Sequence, residues 1–266
     1  VSQKGQCMKI ACGIEYDGAG FSGWQRQQRA HSVQAEVEAA LSKVANHSVQ
    51  LYCAGRTDSG VHATHQVVHF ETGSVRSERS WMRGTNTHLP DTVAITWARP
   101  VEEDFHARFS AEARRYRYVI FHRNVPSALL RRRVTWTYDT LDAGRMQAGA
   151  CHLLGEHDFS AYRATACQAK SPVRTVHRLD ISQQGDFIYL DIEANAFLHH
   201  MVRNIAGVLM AVGRGEQEPV WVRELLDHRD RARGGVTAPP DGLYLVGVRY
   251  PQRFDLPACG MLPVFG

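Results

Sequence analysis

A fold of the α+β class, in two related lobes with mostly antiparallel sheets packed by helices, is predicted by three features of the sequence. Short runs alternate apolar with polar residues, the period of half-buried strands. Several of these runs follow one another with no helix between them, which suits antiparallel neighbours better than crossover connections. The same parts, two or more strands and a long amphipathic helix, occur in each half of the 266 residues.

The first strand is expected at 8–16, where Ile10, Cys12, Ile14 and Tyr16 share one side. A glycine-rich loop, Asp17-Gly-Ala-Gly-Phe-Ser-Gly23, precedes Ser32, which has the chemistry of a helix N-cap. Behind it Val33, Val37, Ala40, Leu41 and Val44 recur every three or four residues, the stripe of a helix. Val49, Leu51 and Cys53 alternate as a second strand that ends in the polar turn Gly55-Arg-Thr-Asp-Ser-Gly60. A strand at 65–71, a short helix at 77–84 and strands at 92–99 and 114–121 complete the order β-α-β-β-α-β-β.

In the second half, 141–154 reads as an amphipathic helix stopped by Gly155, and 176–182 with 187–194 as a hairpin turning at Gln184-Gly185-Asp186. The continuous stripe Leu198, Met201, Val202, Ile205, Val208, Leu209 and Val212 makes 197–212 the strongest helix. A short helix begins near Pro219, and a last strand at 243–250 is closed by Pro251. The domain division expected is an N-terminal lobe at 1–104, a connecting strand and basic linker at 105–140, and a C-terminal lobe at 141–266. A ligand cleft between fused lobes of this kind is the usual arrangement.

Apolar residues make up 44 % and charged residues 22 % of the chain, the proportions of a soluble globular protein. No run approaches the roughly 20 apolar residues that span a bilayer, and residues 1–9 lack the apolar core of a secretory signal, so a cytoplasmic protein without membrane contact is expected. Six cysteines with no C-x-x-C pair are expected to be reduced and mostly buried. Thirty-one Lys and Arg against 27 Asp and Glu leave a net charge of +4, too small a total to name a nucleic-acid partner. The cations are unusual in kind, since Lys occurs only at positions 4, 9, 43 and 170. Arginine's planar head suits phosphate forks and base stacking, although a compositional bias would produce the same count.

Four constellations carry chemistry. His62, His65 and His69, with His88 and His106 further on, invite a metal, but on a strand His65 and His69 stand roughly 13 Å apart at about 3.3 Å per residue, and His62 faces the other way if the pairing begins there; His199 and His200 are adjacent and cannot face one way on a helix, and no metal is expected. Neither glycine-rich loop has the P-loop or dinucleotide pattern, and G-x-S-x-G is absent. Asp58 stands in a glycine-bracketed turn beside Arg56, where it either caps its own turn or, if a second arginine reaches it, serves as a paired nucleophile. Arg203, on the flank of the most apolar helix, is a candidate for that arginine or else reaches solvent. Finally, Arg114-Arg-Tyr-Arg-Tyr118 places Tyr116 and Tyr118 on one strand face and Arg115 and Arg117 on the other. That pattern suits base stacking beside a phosphate track, and equally a tyrosine-lined core beneath a solvated arginine face.

At these residues the sequence resembles the TruA-type tRNA pseudouridine synthases. The matching segments are Ile14-Glu-Tyr-Asp-Gly18, Gly23-Trp-Gln-Arg-Gln27, Ala54-Gly-Arg-Thr-Asp-Ser-Gly-Val-His-Ala63 and Gln66-Val-Val-His-Phe70. They continue with Phe105-His-Ala-Arg-Phe-Ser110, Ala113-Arg-Arg-Tyr-Arg-Tyr118, Ala194-Asn-Ala-Phe-Leu-His-His-Met-Val-Arg-Asn204 and Gly242-Leu-Tyr-Leu245. The resemblance implies the pseudouridine synthase fold and a cytoplasmic homodimer that uses no cofactor. Its expected activity converts uridine to pseudouridine at positions 38, 39 and 40 of the tRNA anticodon stem-loop. It makes Asp58 the nucleophile, Arg56 an aid to flipping the nucleotide, Tyr116 the stacking partner of the target base, and Arg203 the partner of Asp58. It also makes Phe105, His106, Ala107, Arg108, Phe109, Ala166, Cys167, Gln168, Ala169 and Lys170 RNA contacts. The sequence departs from the family at Ser59, usually Ala, and at His65, often Gly.

Such a reaction needs one carboxylate, whether it attacks C1′, adds to C6 or removes a sugar proton. It also needs the base flipped out, at a few kcal/mol recovered by stacking and phosphate contacts. Two other readings compete with it. One is a non-catalytic tRNA-binding module or chaperone on the same scaffold; the other is a metal-dependent nucleic-acid hydrolase using the histidines.

Overall fold

The computed structural model describes residues 7–265; residues 1–6, part of the stretch weighed as a secretory signal, lie outside them. The chain divides into two compact units that interleave in sequence, Val1–Glu112 with Leu245–Met261, and Ala113–Tyr244 with Leu262–Gly266.

In the first unit, β1 (Met8–Tyr16) lies between β3 (His62–Thr72) and β4 (Val93–Val101), and β2 (Tyr52–Cys53) pairs with β3; all these pairings are antiparallel. Ile10, Cys12, Ile14 and Tyr16 are buried as the alternation predicts, but so are Ala11 and Gly13 on the opposite face. A strand flanked on both edges has both faces covered here, with Trp97 of β4 lying against Gly13. The second strand is shorter than its alternation suggests. Glu38 takes the Leu51 N–H at 3.0 Å and Ser42 the Val49 N–H at 2.9 Å, so side chains of the preceding helix divert the donors a strand would use.

That helix, α1 (Val33–Ala45), buries Val33, Val37, Ala40 and Leu41. Ser32 holds the N-cap position but makes no capping bond. The first N–H groups instead reach the carbonyls of Gly23 (3.3 Å) and Trp24 (3.0 Å), so the glycine-rich loop caps the helix through its backbone. In α2 (Glu78–Asn86) the Ser77 hydroxyl does cap, accepting from Ser80 N–H, and Trp81 packs edge-on against Phe70.

In the second unit the strand order is β5 (Ala113–His122), β9 (Phe187–Ala194), β8 (Val173–Gln184), β7 (Gly155–Asp158), antiparallel throughout, with β6 (Thr135–Thr137) parallel to β5. Helix α3 (Ala143–Ala150) packs on β8 and on α4 (Met201–Gly213), which in turn meets β5; α5 (Trp221–His228) completes the layer. The helix expected at 197–212 starts only at Met201, because His200 takes a left-handed conformation (φ 62°) that no helix continues through. From there all of α4 except Arg203 is buried. The final strand, β10 (Leu243–Arg249), ends before Pro251 as predicted, and its residues from Leu245 onward belong to the first unit.

The stretch expected as a basic connector contains β5, and its arginines are partly internal. Arg117 makes a two-pronged pair with Asp191 (2.9 and 2.6 Å), both side chains being about one-tenth exposed, and lies over the Tyr189 ring. Arg114 donates to the Asn195 carbonyl at 3.0 Å. The arginine face of β5 is therefore closed at Arg117 rather than solvated, and Arg114, on the tyrosine face, is bonded within the chain. The thiols also differ from expectation: Cys12 is buried, whereas Cys7, Cys151 and Cys259 are exposed, and none of the six is paired. Among the described residues, no helix is long and apolar enough to cross a membrane.

Removing one member of a buried ion pair strands the other charge, which costs about 3–5 kcal/mol. Asp191→Ala is expected to lower unfolding stability by roughly that amount in urea titration. Replacing Arg117 as well with a hydrophobic residue of similar size should recover most of it.

Candidate active site

The turn carrying Asp58 is assembled by backbone contacts between two loops of the first unit. Trp24 N–H donates to Thr57 O (3.0 Å), Gly60 N–H to Phe21 O (3.4 Å), and Val61 N–H to Asp58 O (3.2 Å), closing the turn. The Thr57 side chain points inward to the Tyr16 hydroxyl at 2.7 Å, while the Ser59 hydroxyl reaches Phe21 O at 3.2 Å. Gln66 of β3 donates to Gly55 O at 2.6 Å. The result leaves Thr57 buried, Asp58 half-buried and Arg56 exposed, three environments in three residues. The approach depends on Gly18: a Cβ there would stand 1.9 Å from Val61 O. Its N–H donates to His62 Nδ1 at 3.1 Å, and that nitrogen also lies 3.1 Å from Asp17 Oδ1.

Segment 105–109 is divided by burial. Phe105 and Ala107 are fully buried, Phe105 among His69, Tyr250 and Phe254, so these two side chains are core rather than presented to a ligand. Arg108 and Phe109 are exposed, Phe109 to 77 %, with the guanidinium of Arg108 against the Phe109 ring. His106 joins them to Tyr52, which sequence reasoning missed, and to His69, which it weighed only as a metal ligand. Its ring lies 4.4 Å from Phe109, 4.6 Å from His69 and 5.6 Å from Tyr52, and Tyr52 stacks on His69 at 5.0 Å. Tyr52 and His69 are cross-strand partners in the β2–β3 register, so the alternation of β3 was the signal that could have found the pair. Burial holds the pKa of the nearby Cys53 thiol up at about 11, against the smaller lowering pull of Arg56 and Arg108.

In the second unit, Tyr116 is buried to all but 7 %, with its ring edge-on to Phe197 at 5.1 Å. Arg203 is half-buried at the start of α4, its Nε donating to Ala238 O at 2.9 Å. In 166–170, Ala166, Gln168 and Lys170 are exposed, Cys167 and Ala169 half-buried, and Cys167 N–H closes a turn onto Ala164 O.

The three histidines of β3 serve three separate backbone segments. His62 accepts from Gly18, His65 Nε2 meets Pro257 O at 2.9 Å, and His69 Nδ1 accepts from Ala107 N–H at 3.1 Å. The departure from the family at position 65 thus brings a buried ring that ties the C-terminal segment to β3. Ser59 adds the bond to Phe21 O that an alanine would lack.

Comparison with known proteins matches a family described as tRNA pseudouridine synthase over residues 13–110 and 150–251. "tRNA pseudouridine synthase A" of Methylococcus capsulatus is 60 % identical over 249 residues, 94 % of this chain and 92 % of that protein. The protein of the same name from Nitrosococcus oceani is 60 % identical over 94 % of this chain and 96 % of its own length. That of Shewanella amazonensis is 54 % identical over 97 % and 99 %.

Burial, with smaller contributions from His106 and Lys9, holds the pKa of His69 down at about 3, well below the ordinary value of 6.5. The neutral ring therefore stabilises the fold fully above pH 6.5, and this contribution is lost as pH falls toward 3, at up to about 1.4 kcal/mol per pH unit. His69→Asn places an amide oxygen where Nδ1 accepts from Ala107 and removes the titration. Urea midpoints of that variant should fall less steeply than those of the parent between about pH 6 and 4; parallel slopes would assign the acid sensitivity to other groups.

Proposed function

The chain belongs to the tRNA pseudouridine synthase family, and on that premise we propose that it isomerises uridine to pseudouridine at positions 38, 39 and 40 of the tRNA anticodon stem-loop. It acts as a cytoplasmic homodimer without a cofactor. The observation that carries this reading is the turn at Asp58: backbone bonds hold the residues on both sides of a half-buried carboxylate, with an exposed arginine two positions away. A carboxylate that must engage one atom of a large substrate needs such pre-set geometry, since misplacement by about 1 Å can cost roughly a hundredfold in rate.

The reaction breaks the N1–C1′ bond, forms C5–C1′, and exchanges the proton on C5 for one on N1. Asp58 is the nucleophile, and Arg203 pairs with its carboxylate. Arg56, exposed on the same turn, offsets part of the cost of drawing the nucleotide out of its stack, and Tyr116 stacks on the flipped base. Arg108 and Phe109, with His106 behind them, offer a cation and an aromatic face to the RNA, as do the exposed Ala166, Gln168 and Lys170 a polar one. Phe105 and Ala107 support this surface from the core, and Cys167 and Ala169 stand at its half-buried margin.

Release of tritium from C5-labelled uridine in a tRNA transcript measures turnover directly. Asp58→Ala is expected to bind tRNA normally and to lose roughly a thousandfold or more in kcat. Undiminished release by this variant would remove Asp58 from the chemistry, whereas no release by the parent would favour a non-catalytic tRNA-binding module. Tyr116→Ala should lose roughly ten- to a hundredfold, the equivalent of about 1–3 kcal/mol of base stacking; parental kinetics would make Tyr116 a core residue only. Phe109→Ala should raise KM for tRNA and leave kcat near the parental value.

A further inference from the structure

Arg203 is the one residue of α4 that is not buried, and its side chain is held from outside the helix. Its Nε donates to Ala238 O (2.9 Å) and Ala238 N–H donates back to the Arg203 carbonyl (3.1 Å), so a single residue of the 234–239 segment grips both side chain and backbone. A guanidinium is planar. A bond at Nε fixes that plane and leaves paired bonding to a carboxylate to the edge formed by Nη1 and Nη2.

The segment is anchored in turn by groups with no part in the proposed chemistry. The Thr237 hydroxyl donates to Oδ1 of Asn204 at 2.6 Å, and Arg231 donates both to that oxygen (3.1 Å) and to Thr237 Oγ1 (3.0 Å). Asn204 is 2 % exposed, and its Nδ2 donates to Tyr162 O at 2.8 Å, so its amide is engaged at both ends. At the far end of the segment, Pro239 O accepts from the fully buried Tyr118 hydroxyl at 2.9 Å, two residues along β5 from Tyr116. Between these anchors the segment lies directly on the helix backbone. A Cβ at Gly207 would stand 1.8 Å from Val236 O, so glycine is required there for contact this close.

We propose that residues 234–239 form a positioning strap for Arg203, with Asn204, Thr237 and Tyr118 as positioning residues that act through it. The strap presents the Nη edge of Arg203 in a fixed direction and keeps it in register with β5, the strand that carries Tyr116. A buried amide bonded on both sides resists reorientation, because any movement would leave polar groups without partners. The proposal rests on the assignment of Arg203 to the reaction.

The test compares Thr237→Val, Thr237→Ser, Arg203→Ala and the Arg203→Ala/Thr237→Val double variant in the full chain, by C5 tritium release from a tRNA transcript, with thermal unfolding as a control. Thr237 is half-exposed, so exchanging its hydroxyl for a methyl leaves the core intact. Thr237→Val is expected to lower kcat roughly tenfold or more with KM for tRNA nearly unchanged. Thr237→Ser should restore kcat, and the double variant should be no slower than Arg203→Ala alone. Parental kcat in Thr237→Val beside an impaired Arg203→Ala overturns the strap and leaves the functional reading intact. Failure of serine to restore activity, or losses that multiply in the double variant, also overturns it. Parental activity in Arg203→Ala would remove Arg203 from the reaction and the strap's purpose with it.

Discussion

The backbone of the loop at 17–24 is the contact on which the first unit's site depends. Its carbonyls at Gly23 and Trp24 take the opening N–H groups of α1, its Phe21 carbonyl takes Gly60, its Trp24 N–H reaches Thr57, and its Gly18 N–H reaches His62 at the start of β3. One loop therefore caps a helix, pins the Asp58 turn and meets the strand that follows it. The physical demand behind this is that backbone polar groups removed from water must find partners. Two irregular segments pressed together satisfy each other, and the closeness this needs is available because Gly18 has no side chain to interpose. A carboxylate on such a turn is placed by many weak bonds rather than by one, and it inherits their combined stiffness.

In the second unit the corresponding role falls to buried polar side chains. Arg117 and Asp191 face each other across β5 and β9, and Asn204 joins Tyr162, Thr237 and Arg231. These groups bear on how the arginine-rich composition is understood. A chain with few lysines looked suited to phosphate, yet Arg114, Arg117 and Arg231 are occupied by carbonyls, carboxylates and amides of the chain itself. The same planar head that suits nucleic acid suits internal bonding, so a count of arginines overstates the cations a ligand meets. Exposed members such as Arg56 and Arg108 are the ones open to a ligand.

Much of the fold was legible because periodicity reports directly on what a strand or helix buries. β1, β5, the β8–β9 hairpin and α1 lie where alternation or a helical stripe puts them. Two of the failures share a cause, which is that a group elsewhere in the chain took over a local bond. Val49 and Leu51 alternate like a strand but give their N–H groups to Ser42 and Glu38; Ser32 has a cap's chemistry but Gly23 and Trp24 do the capping. Leu198 continues the apolar stripe of α4, yet His200 in a left-handed conformation starts the helix three residues later. Propensity weighs a residue's own backbone preference and not a bond from a group seven to thirteen residues away, so it could not have found the first two.

The sequence by itself determined the residue types of the site, the order of its motifs and the family to which they belong, because these depend on side-chain chemistry at fixed spacing along the chain. It also put Arg56, Thr57 and Asp58 together in one turn. Tertiary structure decided which of them faces water, which of the segment 105–109 is core and which is surface, and that Tyr52 and His69 lie against His106. It decided, too, that the arginine on α4 is held by a carbonyl 35 residues away. Burial and hydrogen bonding are properties of neighbours in space, and those neighbours come from separate elements that only the folded chain brings together.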